Sequence, residues 1–121
     1  MITDLLTLQN QFRIFHWQTK SYAEHQAFGE SYNKFSDLID EFIEVFMGKY
    51  GVIENEDGFT IKLLNYTNKK DVVMCLNKNI DHLSSEKGLR SHLQKNDTDL
   101  FNLIDEMLSN LNKLKYLLTL S

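Results

Sequence analysis

Phe28, Tyr32, Phe35, Ile39, Phe42 and Phe46 recur at intervals of 4, 3, 4, 3 and 4 residues, and the 121-residue chain contains no proline to interrupt them. An α-helix turns once in about 3.6 residues, so this spacing keeps all six side chains on one stripe of a single long helix. The same rhythm returns in Leu100, Ile104, Met107, Leu111, Leu114 and Leu118. Two such stripes, with only 5 glycines and no proline, favour long uninterrupted helices over a turn-rich sheet fold.

Four helices follow from the pattern. The first starts at a cap on Thr3 or Asp4, buries Leu5, Leu8, Phe12 and Phe15, and ends near Thr19. The second runs from about Ala23 to Met47, with Gly48 and Gly51 as stop signals. Residues 49–70 read as a crossover with a turn at Glu56-Asp57-Gly58 and one short helical turn around Ile61 to Asn65. The third is capped by Asp71, buries Val73, Leu76, Ile80 and Leu83, and ends near Leu93. Asn96 or Asp97 caps the fourth. The expected fold is all-α: one domain over residues 1–121, a ferritin-like antiparallel four-helix bundle with a long crossover between the second and third helices.

Composition narrows the function. A net charge of −4 offers no general attraction to nucleic acid or to an anionic membrane. No apolar run is long enough to span a bilayer, and the N-terminus lacks the regions of a signal peptide, so a cytoplasmic location is expected. The single cysteine, Cys75 within VVMCLN, reads as a buried structural thiol in a reducing compartment.

One constellation carries chemistry. His16 and His25 flank a short polar break, and Asp40 and Glu44 follow one helical turn apart. Imidazole suits iron and zinc, while carboxylates stabilise a di- or trivalent ion and leave positions open for water or oxygen. Asp40 and Glu44 lie about 120 to 160° around their helix from its apolar stripe, so they are either solvated acids or they face another chain. The bland reading makes His16 a core-edge histidine bonded to a backbone carbonyl. His82 and His92 have no carboxylate at helical spacing and read as surface residues.

The FHW segment, the second histidine, the LIDEFIEVF run and the stretch from Asp71 to Leu120 together resemble Dps-type ferritin-like proteins. The resemblance implies that His16, His25, Asp40 and Glu44 are iron ligands. In that family the histidines come from one subunit and the carboxylates from a two-fold partner, and Trp17 would sit beside the site. Zinc or manganese are further candidate occupants. Gly29 stands where the family carries an acid, which weakens a second metal position. The missing basic tail and short crossover argue against DNA binding and a closed cage.

The leading expectation is therefore a homodimer or higher homo-oligomer that binds and oxidises Fe(II), a ferroxidase for iron storage or oxidative-stress protection. The rival is a non-catalytic ferritin-like structural or interaction protein, a viral or phage component with a vestigial metal site. Under that rival the location would be the virion.

Overall fold

The computed structural model describes all 121 residues, Met1–Ser121, as four α-helices and one short 3-10 helix, with no strand. The α-helices are α1 (Ile2–Gln18), α2 (Tyr22–Tyr50), α3 (Lys69–Ser84) and α4 (Thr98–Leu118), and the 3-10 helix is Leu89–His92. Side-chain contacts fix their directions. Glu24 near the start of α2 meets Lys69 at the start of α3 and Ser121 beyond the end of α4. At the opposite end, Lys49 of α2 pairs with Asp97, the N-cap of α4, and Asp4 of α1 lies beside His82 of α3. Hence α1 and α4 run one way, α2 and α3 the other. Residues 51–68 cross from one end of the molecule to the other to make this possible.

A cluster of 21 buried apolar residues draws on all four helices and on Leu89 of the 3-10 helix. Its centre is aromatic: Phe12 lies 6.0 Å from Phe28 and 6.1 Å from Phe35, the latter edge to face. Such pairs contribute about 0.5–1.5 kcal/mol each beyond the apolar area they bury. All six positions of the α4 stripe are buried. On α2, Phe28, Phe35, Ile39 and Phe42 are buried, whereas Tyr32 and Phe46 are half-buried at the edge of the core.

Helix boundaries correct several sequence expectations. Met1, not Thr3 or Asp4, is the N-cap of α1. The second helix passes through Gly48 and stops at Gly51, whose φ of 92° suits a residue without a side chain. Asn68 rather than Asp71 caps α3: its side chain accepts from the Asp71 amide and donates to the Asp71 carboxylate, a reciprocal cap. Val72 is buried on α3, while Val73 and Ile80 are only half-buried.

The third helix also ends at Ser84, nine residues before the expected Leu93. There the chain folds back so tightly that a Cβ on Gly88 would stand 2.0 Å from the His82 carbonyl oxygen. Only glycine allows that approach.

The crossover contains the expected turn, with the Gly58 amide donating to the Asn55 carbonyl, but no helical turn at 61–65. Its backbone polar groups are satisfied by α1 instead. The Gln11 side chain, 2% exposed, donates to the Leu64 carbonyl and accepts from the Leu64 amide. Gln18, two turns on, accepts from the Tyr66 amide. Those bonds replace the ones a helical turn would have made.

Candidate functional site

The α1–α2 corner is set by a Ser-x-x-Glu sequence: Ser21 caps α2 by accepting from the Glu24 amide. This tight reversal lays the end of α1 along the start of α2. His16 and His25 then meet ring on ring, with centroids 3.8 Å apart and planes 16° from parallel. Nδ1 of His16 lies 2.6 Å from the His25 carbonyl oxygen, and Nδ1 of His25 lies 2.8 Å from the His16 carbonyl oxygen. A carbonyl can only accept, so each Nδ1 carries the proton and donates. The His16 carbonyl is one of the last four of α1, which have no partner within the helix, so His25 caps α1 from its neighbour.

The pair sits on Gly29, where a Cβ would come within 3.0 Å of the His16 ring. Tyr32 meets His16 edge-on at 5.3 Å, and the Arg13 guanidinium lies 5.0 Å over the Tyr32 ring. Together His16, His25, Gly29, Glu30 and Tyr32 border a shallow pocket of about 270 Å³. The Tyr22 ring, 74% exposed, lies 6.2 Å from that of His25, and Trp17, next to His16 in the chain, is 64% exposed.

The four expected ligands do not form one site within the chain. His16 and His25 come together, but Asp40 lies fifteen residues beyond His25 on the same straight helix, about 22 Å away at ~1.5 Å per residue. Asp40 and Glu44 instead edge a groove of about 220 Å³ whose apolar wall includes Ile2, Leu5, Leu6 and Ile43. No three His, Cys, Asp or Glu side chains cluster so as to hold a metal. The tautomer leaves each Nε2 with a lone pair, yet the two lone pairs lie in near-parallel planes. With the rings stacked in this way, one ion about 2.1 Å from both nitrogens could not lie in both ring planes.

The most organised polar groups are Glu24, which carried no expectation, and Asp97, expected only as a helix cap. Glu24 is 3% exposed and accepts from Thr19 Oγ1, the Tyr66 hydroxyl and Ser121 Oγ, with Lys69 Nζ at 3.5 Å. Burial pushes its carboxyl up, but these hydrogen bonds and the lysine outweigh it and hold it below its usual value. Burial, then the Glu24 carboxylate, pushes the Tyr66 phenol up to about 12.

Asp97, also 3% exposed, accepts from Tyr50, from the Gln94 amide and from Lys49. Those bonds, Tyr50's foremost, hold its carboxyl down. Ser21-x-x-Glu24 is the sequence signal for the first hub, and the expected cap at Asn96 or Asp97 is the signal for the second.

His82 is half-buried, not superficial, and its Nε2 lies 3.4 Å from Asp4 across two helices, which helical spacing on α3 could not reveal. His92 is exposed, as expected. Cys75 is half-buried, and burial raises its thiol.

Residues 16–118 match the model of a family described as a family of unknown function, DUF5856. The chain belongs to that family. The histidine pair, Glu24 and Asp97 all lie within the matched residues. An uncharacterized 14.6 kDa protein of the mobD–ri intergenic region of enterobacteria phage T4 is 40% identical over 47 residues. That match spans 39% of this chain and 37% of the phage protein, so the chain is aligned with little more than a third of that relative. No solved structure matches.

The family corrects the Dps-type resemblance drawn from the FHW and LIDEFIEVF segments. Those segments are short, and an amphipathic helix with acids four apart on its outer side produces the second of them without any metal. In the structure the histidines join the two helices, His25 capping the end of α1 and His16 donating to a first-turn carbonyl of α2.

Proposed function

We propose that this chain is a non-catalytic structural or interaction protein, a phage component, that works through the outer face of α1 and α2. The observation that carries the reading is how the chain uses its polar groups. The histidine pair, Gln11, Glu24 and Asp97 each join one helix or segment to another. The outer α1–α2 face, by contrast, holds Leu6, Arg13, Trp17 and Ile43 half-buried or exposed, beside carboxylates with no partner in the chain. Half-buried apolar and aromatic side chains interspersed with unpaired charge are the composition of a recognition surface. The relative from phage T4 supports a phage setting. The order of helix directions, with α2 and α3 parallel and a crossover between them, supports a ferritin-like topology.

Two measurements test the reading. Purified protein should oxidise Fe(II) no faster than buffer does; faster oxidation ends the non-catalytic reading. A photo-crosslinking residue at Gln9, on the outer face, should capture a protein in cells that make the chain at its natural level. One at Ser85, at the far end of α3, should capture none. The opposite pattern would move the working surface elsewhere.

A further inference from the structure

We infer that the outer face of α1 and α2 pairs with a second copy of this chain about a two-fold axis, with Arg13 of each copy meeting Asp40 and Glu44 of the other. The inference rests on the interaction reading above and names its partner.

Arg13 is the first observation. Its guanidinium lies over the Tyr32 ring, its Nε is shut off from solvent without a hydrogen-bond partner, and it belongs to none of the five ion pairs of the chain. A guanidinium held by an aromatic face keeps its remaining donors in a fixed fork suited to a carboxylate. Asp40 and Glu44 are the second observation: both are exposed, both border the same face, and neither has a cation within the chain.

Their placement makes the face self-complementary. Arg13 lies over Tyr32 and so stands about level with it on the antiparallel α2. Asp40 and Glu44 are eight and twelve residues further along, about 12 and 18 Å at ~1.5 Å per residue. An axis through the middle of that interval, between residues 36 and 38 of α2, exchanges the two ends of the face. It brings each Arg13 over the acids of the other copy and makes the contact twice. Side-by-side packing in the same direction would instead set like charge on like.

Near the centre of the face one acid, the exposed Asp37, shares the Glu44 side of α2. Leu6 and Ser36 are half-buried there, beside the groove that Ile2 and Ile43 help to wall. Glu30, the other acid near the histidine pair, also borders the α4 groove, where Lys34 and Lys113 lie with it. Two helices side by side over the length of α1 present about 25 by 20 Å of flat projection. With side-chain relief added, that approaches the ~800 Å² per partner of a standard interface.

Sedimentation equilibrium decides it. Wild type should show twice the 14.2 kDa chain mass at tens of micromolar, and a monomer up to about 100 μM overturns the inference. Arg13→Glu, and separately the pair Asp40→Lys with Glu44→Lys, should each weaken the dimer by at least about tenfold while helix content stays unchanged. Mixing the two variants should restore it, because a heterodimer then carries two matched charge contacts. A dimer indifferent to both reversals, or a mixture that fails to associate, overturns the inference. If wild type is monomeric while the Gln9 crosslinker captures a different protein, only the second-copy assignment falls and the interaction reading stands.

Discussion

The rings of His16 and His25 stack 3.8 Å apart, and each donates from Nδ1 to the backbone carbonyl of the other. One residue closes the end of α1 and the other reinforces the first turns of α2. His16→Ala or His25→Ala removes one donor and unstacks the remaining ring, and His25→Ala also leaves the His16 carbonyl, at the open end of α1, without its partner. Each should destabilise the fold by about 1–3 kcal/mol, read as a lower urea midpoint at unchanged slope. A loss under about 0.3 kcal/mol would show that the pair does not hold the corner.

Gly88→Ala should be the most damaging single-methyl change in the chain. Its Cβ would lie 2.0 Å from the His82 carbonyl oxygen and 3.1 Å from His82 Nδ1. The nearest obstacle is backbone, which cannot swing aside, so the turn after α3 must open and draw the buried Leu89 out of the core. The expected loss exceeds about 2 kcal/mol, measured by thermal unfolding. A variant as stable as wild type would mean that the turn is not held as described.

Gln11→Ala should release the crossover without unfolding the bundle. Two hydrogen bonds to Leu64 vanish, and a backbone amide and carbonyl lose their partners. At about 1 kcal/mol per bond, the change should cost roughly 2 kcal/mol. Hydrogen exchange should rise first in residues 60–66, while the buried amides of α2 and α4 stay protected. Uniformly faster exchange would instead make Gln11 a general core residue.

Glu24 and Tyr66 should give the fold two opposite pH edges. The folded Glu24 carboxyl is held below its ordinary 4.5, so its contribution is full above that pH and declines as pH falls through the lowered value. The folded Tyr66 phenol is raised from 10.0 to about 12, so its contribution is full below pH 10 and disappears as pH climbs through about 12. Glu24→Gln should flatten the acid edge of the unfolding midpoint, and Tyr66→Phe the alkaline one. An acid edge unchanged in Glu24→Gln would assign it to other carboxylates.

Four helices were legible because their signal is local. Leu100, Ile104, Met107, Leu111, Leu114 and Leu118 are all buried as their spacing requires, and Gly51 stops α2 by its own backbone freedom. The early end of α3 was not legible, since it depends on Gly88 meeting the His82 carbonyl, a contact that no periodicity reports. Nor was the crossover. Its sequence offered a helical turn, and Gln11 of another helix took the hydrogen bonds that turn would have used.

The candidate site divides in the same way. Sequence alone determined that His16 and His25 flank a corner and that Asp40 and Glu44 share the outer side of their helix, because both follow from residue spacing and helix pitch. Only the tertiary structure decided what those residues do. Stacking in the α1–α2 corner turned the histidine Nδ1 atoms onto backbone carbonyls, and the rigid length of α2 carried Asp40 and Glu44 about 22 and 28 Å away at ~1.5 Å per residue. A spacing fixes the face on which a side chain sits, but its partner depends on which other helix packs there.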